Sequence, residues 1–323
     1  MFILKLFAAC LFGVLSTATA TEIKFDKPVN IIVSFPPGGD TDVIARILAD
    51  KLSVRIGQPV LVQNKSGASG IIGNRSVAES RPDGYTLLFS PSTIVTSQLV
   101  MKNAVPYDVR KDFTPIVEIS KNTVLFIVVN SAFNVKNHKD LLEKIKSGEI
   151  KSYATPGNGS PMNIVGEYYK NQTGADLVQV PYRGNAPAVV GLLSGDVPMM
   201  ITSLLPIRDH IENKKITVIG AASSARSQFL PHVPTLAEQG LAKADFSGWM
   251  TIFGPANMDI KMTKELNRHF NEMLKEAEVI SKMLSLAHTP AGGTVEEAAK
   301  SVTDLYNRFD SNIKKFNIKV NAE

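Results

Sequence analysis

The side chains able to do chemistry are few, and their spacing argues against covalent catalysis. Five histidines (His138, His210, His232, His269 and His288) have no partner at metal-ligand spacing, and no H-E-x-x-H occurs. Cys10 is the only cysteine. A G-x-S-x-G elbow is missing, since Gly67-Ala-Ser-Gly fails by spacing. Asp40 and Asp42 are paired carboxylates, but acids in the first turn of a helix usually serve its dipole. Ser160 near Asn163 resembles part of a nucleophile arrangement without its general base. What remains is non-covalent chemistry: the hydroxyls of Ser90, Ser92, Thr93 and Ser160, the guanidinium of Arg183, and backbone amides freed by glycine-rich loops. No metal or cofactor is expected. A periplasmic hydrolase using Ser160 or Ser90 stays as the alternative, because triads assemble from distant residues.

These groups need elements to position them, and the stretch from Asn30 to Arg46 sets the design. Val29, Ile31, Ile32, Val33 and Phe35 make a short buried strand ended by Pro-Pro-Gly-Gly. Ile44, Leu48 and Leu52 then recur at helical spacing, with Asp40 or Thr41 as N-cap. Gly38 and Gly39 let the backbone turn tightly and come close to a ligand. A glycine pair at such a junction can simply make the turn; it can also leave the helix amides as an anion cradle. Both readings stay open here. Polyphosphate does not suit the loop, because G-x-x-x-x-G-K-[ST] and G-x-G-x-x-G are absent and Asp42 would repel a bare phosphate. A small carboxylate held through waters suits it better.

The same design recurs. After the strand Val60-Leu-Val-Gln comes a loop with Gly67, Gly70 and Gly73, whose spacing fits helix-on-sheet packing as well as binding. Tyr85 to Phe89 is a strand leading to Ser90-Pro91, read as N-cap and first helical residue. From Phe113 to Asn130 the chain is strand-like and crosses into a second lobe. There, Pro156-Gly-Asn-Gly-Ser160-Pro161 repeats the opening loop, with Ser160 as N-cap and Asn163 in the first turn. Pro181-Tyr-Arg-Gly-Asn185 opens a helix over 186–193, with Asn185 as N-cap; Arg183 is a carboxylate clamp or a surface residue paired with an acid. Thr235 to Glu238 is a capping box. Phe246 to Phe253 returns to the first lobe as a strand in which Trp249 is more often core than ligand stack. Met262, Leu266, Phe270, Met273, Ala277, Ile280 and Leu284 form one helical stripe, and Thr294 to Glu297 caps the last helix.

Length and composition bound the rest. Lys5, the apolar run from Leu6 to Leu15 and Ala18-Thr19-Ala20 read as a signal peptide cleaved after Ala20, so the periplasm is the expected location. Removing those 20 residues from 323 leaves 303, near the size at which chains divide, and lowers the formal charge from +5 to +4. The basic residues are scattered, so nucleic acid is not an expected partner, and a monomer is expected.

Several stretches together resemble the Bug family, the extracytoplasmic receptors of tripartite tricarboxylate transporters. They are Phe35-Pro-Pro-Gly-Gly-x-x-Asp42-x-x-x-Arg46, Gly57-Gln-Pro59, Asn64-Lys-x-Gly67-Ala, Arg81 to Leu88, Gly157-Asn-Gly159, Pro181 to Gly184, Arg226, Pro234 to Gly240, Trp249 and Gly254-Pro-Ala. The resemblance covers essentially the whole mature chain. It implies a two-lobed type II periplasmic-binding fold of α/β class, each lobe a central sheet flanked by helices. The first lobe would be 21–122 plus 246–323, and the second 123–245. It further implies a small carboxylate ligand, delivered to integral membrane permease subunits. Carried over by position, Phe35, Pro37, Gly38, Gly39 and Asp42 form the water-organising loop, with Ser90 and Thr93 beside it. Ser160, Asn163, Arg183, Gly184, Asn185 and Thr202 come from the second lobe. Two positions depart from the pattern. Asn163 stands where a histidine is common, and Thr202 where many members carry an acid, which weakens the case for an amino acid, whose ammonium needs a negative partner.

Overall fold

In the computed structural model, which describes residues 23–320, the apolar runs become the strands of two separate sheets. The signal segment expected over 1–20 lies outside the described residues. The first sheet holds β1 (Val29–Val33), β2 (Val60–Asn64), β3 (Thr86–Pro91), β4 (Phe113–Thr123), β10 (Gly248–Pro255) and β11 (Thr289–Pro290). The second holds β5 (Phe126–Asn130), β6 (Ser152–Thr155), β7 (Val178–Pro181), β8 (Met199–Thr202) and β9 (Ile216–Ala221). Their spatial orders are β2-β1-β3-β10-β4-β11 and β7-β6-β8-β5-β9. Leaving aside the short edge strand β11, the two layouts are the same. Each has three parallel strands and then one antiparallel strand, followed by a last strand that is antiparallel to it. The odd strand is in each case the first one laid down after the chain crosses from the other sheet: β5 after β4, and β10 after β9. In open α/β sheets a ligand sits beyond the carboxyl ends of strands where the winding reverses, so both sheets offer such an end.

Helices α1 (Asp40–Ile56), α2 (Ile71–Ala78), α3 (Thr93–Val100), α8 (Ile260–Leu274), α9 (Ala277–Ser285) and α10 (Val295–Lys315) flank the first sheet. The second is flanked by α4 (His138–Lys146), α5 (Pro161–Thr173), α6 (Asn185–Ser194) and α7 (Arg208–Glu212). The apolar spacing of α1 explains its seat: Ile44, Leu48 and Leu52 are fully buried in one cluster with Ile31, Val33 and Phe89. Each such side chain contributes about 1.5–3 kcal/mol relative to exposure. The Gly67–Gly73 spacing serves packing. A Cβ on Gly73 would lie 2.6 Å from the Lys65 carbonyl and 2.9 Å from Ser34 Cα, so α2 could not approach the end of β1.

Four local expectations are revised. Ser90-Pro91 does not start a helix; both residues continue β3, paired with Thr251 and Met250 of β10. The residue before proline avoids the helical region, and a proline closing a strand costs no ladder bond in its interior. The N-cap of α1 is Gly39 rather than Asp40 or Thr41, and that of α6 is Gly184 rather than Asn185. Glycine is nearly as good there as a side-chain cap. The stripe from Met262 to Leu284 breaks, because the amides of Lys275 and Glu276 bond to the carbonyls of Glu272 and Met273 and tighten the turn. The re-phased α9 buries Val279 and Met283 and leaves Leu284 39% exposed. The capping boxes at Thr235–Glu238 and Thr294–Glu297 form reciprocally as expected. The chain ends by reaching across. After α10, Phe316 meets Tyr168 of α5 edge-on at 4.9 Å, and Asn171 Nδ2 donates to the Phe316 carbonyl at 3.1 Å.

Candidate ligand site between the two sheets

The loops after β1, β3, β6, β7 and β8 converge on one cavity with about 70 Å³ of free volume. A water needs roughly 10–15 Å³ on that measure, so the space takes on the order of five waters or the head of a small molecule. Its polar wall consists of helix starts. Gly39, Asp40 and Thr41 open α1, Ser92 and Thr93 open α3, Pro161 and Met162 open α5, and Gly184 to Pro187 open α6. Only α5 has a side-chain cap, from Ser160; α1, α3 and α6 have none. Uncapped first-turn amides carry partial positive charge and seek an acceptor. The apolar wall is Phe35, Leu125, Trp249 and Met250.

Contacts between the loops of the two sheets beside the cavity are tight. Gly184 (φ +115°) would carry a Cβ 3.2 Å from Pro36 Cδ, and Gly157 (φ +141°) one 2.5 Å from Ser69 Oγ. The second-sheet glycines therefore allow a close seat on the first-sheet loops. Gly39 differs. A Cβ there meets nothing nearer than the Pro36 carbonyl at 3.8 Å, so this residue faces open space at the cavity.

Of the residues proposed from sequence, Phe35, Gly39, Thr93, Gly184 and Asn185 line this cavity. The others lie behind or beside it. Pro37 and Gly38 are exposed at the tip of the first loop. Asp42 is nearly buried and clamps that loop: it accepts from the Gly38 amide at 3.0 Å, from Arg46 at 2.9 and 3.1 Å, and from Asn64 Nδ2 at 2.9 Å. Burial resists its ionisation, but Arg46, the Gly38 amide and Asn64 together hold the carboxyl below the usual range. Ser90 is fully buried beside Asn74. Ser160 Oγ donates to the Gly157 carbonyl at 2.8 Å and accepts from the Asn163 amide at 3.2 Å. Asn163 Oδ1 in turn accepts from the Gly159 amide at 3.1 Å. Neither serine has a histidine as hydrogen-bond partner among the described residues. Thr202 is buried at the end of β8, and its successor Ser203 reaches the cavity instead. Arg183 is exposed on a neighbouring cavity of about 150 Å³, facing the Ser66–Gly70 loop, with no acidic partner among the described residues.

Sequence reasoning misses Asp40, Ser203, Trp249 and Thr123 as cavity residues. Asp40 follows the Gly39 cap and is the only charged residue lining the cavity among those described. Ser203 Oγ donates to Asp40 Oδ2, tying α1 to the end of β8, and His288 Nε2 approaches the same oxygen at 3.8 Å. Burial opposes ionisation of Asp40 most; the neighbouring His288 imidazole, Ser203 and its own amide together hold its carboxyl below the ordinary range. Trp249 lines the cavity with a buried indole N–H that has no partner. Thr123 Oγ1 and Asn185 Oδ1 are likewise buried, unpartnered and on lining residues. For Ser203 and Thr123 the available signal was position at the end of a strand that changes neighbours.

Two sheets of one layout, facing each other across a cavity ringed by helix starts, define a two-lobed periplasmic-binding protein of type II. Solved relatives have the same fold. One is described as a periplasmic transporter, at TM-score 0.84 and 32% identity, with 91% of this chain and 98% of the other covered. Another is R. palustris Rpa4515 with adipate, at TM-score 0.85 and 28% identity over 91% and 98% of the two chains. Protein BugT of Bordetella pertussis is 35% identical over 286 residues, 88% of this chain and 87% of BugT. Residues 44–318 match the tripartite tricarboxylate transporter family receptor, TctC. The chain belongs to that TctC family, the Bug receptors; it is a family of binding proteins, not of enzymes.

Proposed function

We propose that this receptor captures a small organic carboxylate in the periplasm and delivers it to the membrane permease subunits of a tripartite tricarboxylate-type transporter. The observation that carries the reading is the set of four helix N-termini at one cavity, three of them without side-chain caps. Such a ring stabilises one carboxylate head by amide donors and by the dipoles, directly or through ordered water. The adipate held by Rpa4515 is a dicarboxylate, which supports the same class here. We further propose that 21–122 with 246–323 and 123–245 move as two lobes that close over the ligand by a hinge. Gly39, Thr93, Gly184 and Asn185 would meet it, and Asp42, Ser160 and Asn163 would hold the loops that do.

Isothermal titration of ligand-stripped protein against mono-, di- and tricarboxylates tests the proposal. Saturable binding of at least one is expected; a folded protein that binds none would overturn it. Affinity capture of membrane subunits by the loaded receptor tests delivery, with a sensor kinase as the partner that would redirect it.

A further inference from the structure

We propose that Asn74, which does not line the cavity, is a positioning residue for it: its side chain holds the fork at which two of the cavity's loops leave the first sheet. This rests on the carboxylate reading of that site. The backbone ladder between β1 and β3 ends at the pair Val33 and Phe89. The next residue of each strand's chain is a serine, Ser34 and Ser90, and both are fully buried. Asn74 of α2, 1% exposed, takes over where the ladder stops. Its Oδ1 accepts from Ser34 Oγ at 2.5 Å. At a longer 3.5 Å it also meets Ser90 Oγ, which faces the Pro91 carbonyl at 3.2 Å as well. Its Nδ2 donates to the Tyr107 hydroxyl at 2.9 Å, and that ring packs edge-on against Phe113 with centroids 5.4 Å apart. The amide is used on both sides and anchored in the core.

The residues that follow are the cavity wall. Phe35 and Pro36 come after Ser34, and Pro91, Ser92 and Thr93 come after Ser90. Two strands that leave their ladder diverge freely unless another bond spans them, and here one buried side chain does so. Gly73 makes its approach possible, because a Cβ there would lie 2.9 Å from Ser34 Oγ and hold α2 away. Without the amide, the Ser34 and Tyr107 hydroxyls lose their shared partner in a buried setting, which is costly. The Phe35 carbonyl stays tied to Asn64 Nδ2 at 3.0 Å, so the first loop loosens rather than unfolds.

The test compares Asn74→Leu, Ser34→Ala and their double variant with Leu141→Ala, a core change in α4, no residue of which lines the cavity. Two quantities are read: amide hydrogen exchange over 35–39 and 92–96 in ligand-free protein, and calorimetric affinity for the carboxylate that wild type binds most tightly. Asn74→Leu is expected to speed exchange in both segments and to weaken binding about five-fold or more. Ser34→Ala is expected to speed exchange at 35–39 and to weaken binding less. The double variant should bind within about two-fold of Asn74→Leu, because both substitutions break the same bond. Leu141→Ala should lower the melting temperature and move neither readout. Unchanged exchange or unchanged affinity in a folded Asn74→Leu variant would overturn the proposal. So would equal losses in Leu141→Ala, or full additivity in the double variant. Should Asn74→Leu fail to fold by circular dichroism, Ser34→Ala decides alone. A wild type that binds no carboxylate would end the carboxylate reading, and the exchange pattern would still decide whether Asn74 holds the fork.

Discussion

The two glycine-rich loops at the cavity, 34–39 after β1 and 156–160 after β6, use similar residues and are stabilised in different ways. The first is held from below. Asp42 gathers the Gly38 amide, Arg46 and Asn64, so the helix that follows needs no capping side chain and keeps its first-turn amides for the cavity. The second is held from within. Ser160 caps α5 and Asn163 ties back to Gly159, so the local polar groups satisfy each other. Its glycine at 157 instead allows contact with Ser69 of the first sheet's side. One loop is an open donor surface and the other a close seat against the first sheet's loops. A strand, a glycine pair and a helix therefore do not fix a loop's role; where its polar groups are already spent does.

The largest expected effect is on the clamp. Asp42→Ala leaves the Gly38 amide, Asn64 and the Arg46 guanidinium without their shared acceptor, at a cost of about 3 kcal/mol. Chemical denaturation would measure it, and ligand affinity should fall with it; a variant within 1 kcal/mol of wild type would place the loop's support elsewhere. The sign with pH follows from the lowered carboxyl. The contribution of Asp42 is complete above the unfolded value of about 3.9 and is lost as pH falls through the still lower folded value. Acid unfolding of Asp42→Ala should accordingly be shallower than that of wild type below about pH 4.

Next comes a contrast between two glycines. Gly157→Ala puts a side chain at φ +141° and 2.5 Å from Ser69 Oγ, so it should cost about 1–3 kcal/mol and also hinder closure. Gly39→Val, at φ −82° and facing open space, should cost no more than about 1 kcal/mol as a poorer N-cap, and should weaken ligand binding by more than that, because its branch fills the cavity. Equal binding by a folded Gly39→Val variant would remove this amide from the site. The smallest effect is Ser160→Ala, about 1 kcal/mol from a lost cap. Any hydrolysis of an activated ester that vanished in that variant would contradict the structural role given to this hydroxyl.

Much of the scaffold was legible before folding, because strands and helices announce themselves by apolar period and by proline and glycine at their ends. The run Ile31 to Val33 and the spacing Ile44, Leu48, Leu52 gave β1 and α1. Asp and Asn outrank glycine in N-cap propensity, yet at α1 and α6 the preceding glycine takes the cap, with extended backbone at Gly39 and with φ +115°, open to glycine, at Gly184. The α8–α9 break was hidden by an apolar stripe that ran through it. The contact between Asp40 and Ser203 spans 163 residues, and no local pattern encodes it. Trp249 illustrates the remaining gap: buried strand and cavity wall are the same residue seen from two sides.

The junction of Phe316 with Tyr168 and Asn171 lies seven to ten residues beyond Pro161, about 10–15 Å from the end of α5 that borders the cavity. Asn171 Nδ2 also donates to the Asn317 carbonyl at 3.3 Å. The tail that follows α10, a helix packed on the first sheet, is thereby fastened to a helix of the second, so that α5 is pinned at its far half by this tail as well as at its start by Ser160.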